Sequence, residues 1–329
     1  MLTQLQLQKI ESHELYTGSF FKMPSILTGD LTEAEVLNEH FHSAYVLKTE
    51  AGVVGRFALY TNDALEHEST AALCVGSYAC IDDDYVASIL LNKIDLLSAE
   101  LGYKTIIGPI NGSTWSAHRF SCGQLNKKFF LDTANPDYYN DHFISAGYKV
   151  ISYYVSNFLV DGTIINNKLN DSYWKSKGLR IRNIDLANLP KELYKIAVFS
   201  NKAFSKNFLF TPIKVDVFVE KYLKLSPILN PDYIYLAEDH VGEIHGISFS
   251  LPDPYKEQTM IIKSIAIKSD TPYRGIGIYL SRKTHNLALA DGYTEIIHAF
   301  MHTKNTSLNA SHKYGENYKA YKMYSKQLK

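Results

Sequence analysis

The residues with the clearest chemical capacity lie in one run, Ser264-Ile-Ala-Ile-Lys-Ser-Asp-Thr-Pro-Tyr-Arg-Gly-Ile-Gly-Ile-Tyr-Leu280. An apolar stretch enters a turn holding Arg274, Gly275 and Gly277, and a helix-like apolar pattern starts at once. A helix start offers backbone N–H groups without intrahelical acceptors and the positive end of the helix dipole. Glycine there lets an anion reach the backbone, since no Cβ intervenes. Strand, glycine turn and helix together suit a pyrophosphate. The run is neither a Walker loop, which needs Gly-Lys-Ser/Thr, nor the full dinucleotide fingerprint.

The elements that must position this turn follow from periodicity. Before it, Leu179 to Asn183 reads as a strand, Pro190 to Phe204 as a helix with proline in its first turn, and Val241 to Ser250 and Met260 to Ile267 as strands. After it, Ile276 to Ala290 reads as a helix stopped by Gly292, Glu295 to Met301 as a strand, and a polar helix is expected from about Thr306. Tyr314, Tyr318, Tyr321 and Tyr324 on that tail have near-helical spacing. The first half repeats this order, with strands at Val53–Tyr60, Ala72–Cys80 and Thr105–Gly108, a helix through Leu90, Ile94, Leu97 and Leu101, a short helix over Tyr138–Ala146 and a strand over Val150–Leu159. Residues 161–177 are polar and Asn-rich and read as a linker between domains 1–160 and 178–329.

Composition narrows the function classes. Lys plus Arg and Asp plus Glu both total 34 in 329 residues, which argues against a DNA binder or an anionic-membrane binder. No run reaches the ~18 apolar residues of a membrane span, and the start lacks a signal-peptide pattern. Cys74, Cys80 and Cys122 form neither a metal-ligand pattern nor a complete disulfide set. A cytoplasmic protein without a metal is expected.

Order and spacing over Leu179 to Leu328 make the chain similar to the GCN5-related N-acetyltransferases. Ile265-Ala266-Ile267 matches their strand, Gly275-Ile276-Gly277 their loop, Asp291-Gly292-Tyr293 their helix end, Ile296 to Met301 the next strand and Asn305 the Asn that follows. Arg274 stands two positions beyond the family's usual Arg/Gln, and Lys263 and Ser264 stand where it often has a carboxylate. The first half follows the pattern more loosely, through Cys74–Cys80, Thr105–Trp115 and Gly147-Tyr148. The resemblance implies an α/β (α+β) fold of two tandem domains, each a mixed, mostly antiparallel sheet flanked by helices. It also implies acetyl-CoA, or another acyl-CoA, as cosubstrate. At the place of Arg274-Gly275 the first half has Asp82-Asp83-Asp84, which would repel a pyrophosphate. Only the second half is expected to bind coenzyme A.

In such a family the strand ending at Ile267 pairs with the pantetheine arm, so Ile265, Ala266, Ile267, Arg274, Gly275, Ile276, Gly277, Ile278 and Asn305 are the expected cofactor contacts. A base must deprotonate the amine, and Glu243 and His245 are the candidates, on one face of their strand by alternation. His298 is an outside candidate. An acid must protonate the departing thiolate, and His312, then Tyr314, is expected to do so. Asn111, Ser113 and Trp115 follow a buried strand and could contact the acceptor. The resulting expectation is acyl transfer to an amine of a small molecule or peptide, with a homodimer possible. Two other readings are an aminoacyl-tRNA-dependent transferase of tandem type and a non-catalytic acyl-CoA sensor.

Overall fold

The computed structural model describes residues 5–10, 19–23, 32–123, 128–132, 134–159, 169–305, 308, 311 and 316–329. In chain order the strands are β1 (Gln6–Ile10), β2 (Phe41–Thr49), β3 (Gly52–Tyr60), β4 (Glu66–His67), β5 (Thr70–Cys80), β6 (Thr105–Gly108), β7 (Phe120–Cys122), β8 (Lys149–Leu159), β9 (Arg180–Asn183), β10 (Ile234–Glu238), β11 (Ile244–Pro252), β12 (Thr259–Ile267), β13 (Glu295–His302) and β14 (Glu316–Gln327). The helices are α1 (Glu33–Val36), α2 (Asp84–Glu100), α3 (Tyr138–Ser145), α4 (Asp171–Ser176), α5 (Leu189–Ala203), α6 (Val215–Leu223) and α7 (Ile276–Ala290). The chain forms two compact units, one of Met1–Tyr154, Leu209–Thr211 and Lys319–Lys329, the other of Val155–Phe208 and Pro212–Tyr318.

In the first unit the strand order is β1-β2-β3-β5-β6-β14. Neighbours are antiparallel except β5 and β6, which are parallel. The apolar stripe of α2, Val86, Leu90, Leu91, Ile94 and Leu97, is buried in this unit's core with Leu59, Leu73 and Tyr78. Burial of such side chains contributes about 1.5–3 kcal/mol each. Gly102, at φ +80°, ends the helix as its position suggests.

In the second unit the order is β9-β10-β11-β12-β13, with the end of β8 beyond β13. Strands β9 to β12 are antiparallel, and β12 and β13 are parallel. Helix α7 buries Ile276, Tyr279, Leu280 and Ala288 against one sheet face. On the other face Tyr222 of α6 packs edge-on against Phe249 of β11.

The tail corrects the expected helix from Glu316 onward, while Leu308 and Ser311 before it are helical. Residues 316–327 are the strand β14, paired with β6 and β7 in the first unit. Tyr321, Met323 and Tyr324 are all fully buried, which a one-sided pattern cannot express. Lys319 is buried too, paired at 2.5 Å with an equally buried Asp132. Because β14 from Lys319 onward and Leu209–Thr211 join the first unit, the compact units are not the two sequential stretches 1–160 and 178–329. Of the expected linker, residues 161–168 lie outside the described residues, and its remainder contains α4, capped by the Asn170 side chain.

Candidate functional site

The site begins with a parting of strands. β12 and β13 pair in parallel only from Thr259↔Glu295 to Ile262↔His298. β12 then continues to Ile267 and β13 to His302 without pairing to each other. A register shift opposite Phe249/Ser250 makes Lys263 a bulged residue at this point. Bulges bend a strand and leave one residue unpaired, which turns β12 away from β13. Beyond the bulge, Ser264 to Ile267 stay paired to β11 on one side only. Their other edge offers N–H and C=O groups to an extended ligand, as an added strand would use them.

The glycine turn lies at the far end of that edge. Gly275 is the N-cap of α7 at φ +87°, with no capping side chain. A Cβ built there would meet nothing within 4 Å, so the space before the helix is open. Ile276 N–H is bonded to Tyr273 C=O at 3.2 Å. The next donors, on Gly277 and Ile278, are first-turn groups that a helix leaves without intrahelical acceptors. A Cβ at Gly277 would press on Ile267 at 3.0 Å, so this glycine lets α7 approach β12. Arg274 is exposed beside the turn. These groups fit a pyrophosphate.

The equivalent place in the first unit is filled by its own chain. β5 and β6 pair only from Ala72↔Thr105 to Cys74↔Ile107. Ile110 N–H then donates to Val75 C=O at 2.8 Å, and Asn111 Oδ1 accepts from Ser77 N–H at 3.0 Å. A Cβ on Gly76 would stand 2.1 Å from Asn111 Oδ1, so glycine admits the plug. At the helix start, Asp83 Oδ1 accepts from Tyr85 N–H at 2.9 Å and Val86 N–H at 3.1 Å. Both the strand edge and the helix terminus are already satisfied.

The remaining expected residues fall in different places. Asn111 is 2 % exposed, and its Nδ2 donates to Glu35 C=O at 3.0 Å, so it is a structural plug rather than an acceptor contact. Ser113 is also buried, and Trp115 Nε1 donates to Thr211 C=O at 2.9 Å, which ties down Leu209–Thr211. Glu243 and His245, at the start of β11, stand beside the C-terminal end of β12, away from the parting. His245 C=O accepts from the N–H of Lys268, the residue after Ile267. At ~3.3 Å per residue this is about 20 Å from the parting. There His245 is buried, with Nδ1 3.0 Å from Thr271 Oγ1 and Nε2 3.3 Å from Asp239 Oδ2. Ligand atoms of Asp239, Glu243 and His245 lie within 4.8 Å of one another. Each has a protein partner, however: Asp239 takes the Val241 and Glu243 N–H groups, and Glu243 pairs with Lys268 at 3.0 Å. The trio fastens the segment that leads to the glycine turn. Burial works to raise the Asp239 carboxyl, and these hydrogen bonds outweigh it and hold it below its usual range.

Asn305 is exposed, and its N–H bonds to His302 C=O at 2.9 Å. His312 and Tyr314 lie outside the described residues. His298 stands at the last paired position before the parting. Among the described residues its Nε2, shielded from solvent, has no hydrogen-bond partner, and burial, with His285 second, lowers its imidazole to about 4. Sequence reasoning passed over Tyr222: its α6 position carries no motif, and only the fold brings it to Lys263.

No family model and no curated protein sequence matches the chain. Solved structures do. A GCN5-related N-acetyltransferase from Sphaerobacter thermophilus is similar at TM-score 0.57 and 11% identity, covering 98% of this chain and 95% of the other. A tandem GNAT protein from the clavulanic acid biosynthesis pathway is similar at TM-score 0.59 and 8% identity, covering 98% of each chain. A probable N-acyltransferase from Enterococcus faecalis V583 gives TM-score 0.60 at 9% identity, over 99% of this chain and 73% of that one. With the parted parallel strands and the glycine-led helix, these likenesses give the chain the tandem fold of the GCN5-related N-acetyltransferases.

Proposed function

We propose that the second unit binds an acyl-CoA between β12 and β13 and transfers its acyl group, in the first instance acetyl, to an amine. The observation that carries this reading is the free β12 edge from Ser264 to Ile267 leading to an uncapped α7 start at Gly275. Gly277 and Ile278 N–H groups and the Arg274 guanidinium hold the pyrophosphate. The backbone of Ile265, Ala266 and Ile267 aligns the pantetheine arm, so that the reacting carbonyl arrives at the Lys263 bulge. There a strand N–H freed by the bulge stabilises the oxyanion. The thioester supplies an activated carbonyl: the amine nitrogen bonds to that carbon, the C–S bond breaks and the sulfur takes a proton. His312, with Tyr314 second, remains the proposed source of that proton. With Glu243 and His245 remote from the bulge, the proton of the amine leaves through water.

Acetyl-CoA is expected to raise the melting temperature, and a Gly275→Glu/Gly277→Glu double variant is expected to lose the rise. Unchanged melting of the natural chain in saturating acetyl-CoA would defeat the reading. A non-catalytic acyl-CoA sensor is favoured by one observation, the lysine at the bulge. Binding without turnover of any amine would establish that alternative.

A further inference from the structure

We propose that the acceptor amine carries an anionic group, a carboxylate or phosphate close to the reacting nitrogen, and that Lys263 with Tyr222 receives it. The inference rests on the acyl-transfer reading and adds the substrate class. Lys263 is the bulged residue where β12 leaves β13, the point at which an acyl carbonyl held along β12 would be attacked. Two faces of the sheet meet there. Ile262 and Ile265 fill the face under α7, packed with Leu287 and Ala288. The other face carries Lys263, whose Nζ reaches Tyr222 Oη of α6 at 2.5 Å and lies 4.8 Å above the Tyr222 ring.

Lys263 has an unusual lack of counter-charge. Three other lysines of this unit, all similarly half-buried, each have a carboxylate within 4 Å: Lys256 has Glu295, Lys268 has Glu243 and Lys283 has Asp171. Among the described residues, no carboxylate pairs with Lys263. A half-buried ammonium without a counter-charge is costly, and a bound anion would relieve that cost. Its hydrogen bonds point the same way. The ammonium has three donors and spends one on Tyr222. Tyr222 accepts that bond, so its own O–H proton is left to donate, although the residue is only 6 % exposed. Among the described residues, two unused kinds of donor therefore stand at the bulge. A cation there also repels a plain ammonium or polyamine, while an acceptor with its own negative group is drawn in.

The test is acetyl transfer from acetyl-CoA to matched amines: the amino acids against their carboxamides, phosphoethanolamine against ethanolamine, and spermidine. Thiol release gives the rate, and calorimetry gives acetyl-CoA affinity separately. Members bearing the anion are expected to have a kcat/KM at least tenfold above their partners. Whichever pair reacts distinguishes carboxylate from phosphate. Lys263→Met should raise KM for the anionic acceptor tenfold or more and leave acetyl-CoA affinity within twofold, with Lys263→Arg restoring most of the loss. Retained affinity shows that the variant is folded. Preference for neutral or cationic amines, no turnover of any anionic amine, or a preference that survives Lys263→Met would overturn the proposal. Failure of acetyl-CoA to bind at all would instead show in the calorimetry and remove the acyl-transfer reading beneath it.

Discussion

Gly275 and Gly277 act on the candidate site by different means. Gly275 supplies a left-handed backbone at φ +87° in open space, whereas Gly277 supplies room against Ile267. Gly275→Ala should therefore cost about 1–2 kcal/mol of stability through backbone strain. Gly277→Val should act differently: it pushes α7 from β12 and weakens acetyl-CoA binding at least tenfold. Chemical denaturation and calorimetry on the two variants separate these effects. His298 makes a pH prediction. Its imidazole titrates at about 4 in the folded chain, first because of burial and then because of His285, against 6.5 when unperturbed. Between those values the unfolded chain binds the extra proton, so stability is full above about pH 6.5 and falls as pH drops toward 4. The loss should reach about 3 kcal/mol at most. His298→Gln should flatten that part of the pH–stability curve, read as denaturation midpoints at pH 7 and pH 4.5.

At the scale of elements, the parted strands occur in both units, but among the described residues only one pair is open. Asn111 and Ile110 close the first with hydrogen bonds that a strand-like ligand would otherwise make. Asn111→Ala should destabilise the protein by about 1–3 kcal/mol, because Ser77 N–H loses its partner and Glu35 C=O keeps only Asn38 Nδ2. It should leave acetyl-CoA binding unchanged. Differential scanning calorimetry with and without acetyl-CoA reads both. Much of this arrangement was legible beforehand. The helix over 276–290, the strands flanking it and the glycine turn all follow from local periodicity and from glycine positions, and the structure has them. The Asp82–Asp84 contrast was legible as well, since an acidic helix start satisfies its own dipole. The plug was not, because nothing local says that Asn111 lies against Gly76. β14 was misread for a related reason. Two of its three lysines, Lys319 and Lys326, are matched by Asp132 and Asp95 from distant parts of the chain, so a strand within the sheet reads as a polar surface helix. Glu243 and His245 do share a face, but alternation cannot say that their end of the strand is the one beside Lys268.

Across the whole molecule, the order of elements along the chain is not the order of the units. The last strand belongs to the first unit, where the buried Lys319–Asp132 pair holds it. Asp132→Ala leaves an unpaired buried ammonium and should cost about 3–5 kcal/mol. The loss should appear as faster amide exchange in β6 and β14, with α7 and β12 less affected. The account's central claim is one acyl-CoA site per chain, in the unit that carries Gly275. Calorimetric titration of the full chain with acetyl-CoA tests it most directly. The expected result is one molecule bound per chain, lost in Gly277→Glu and kept when Asp83→Gly removes the acidic cap of α2. Two molecules per chain, none, or binding that survives Gly277→Glu would contradict it.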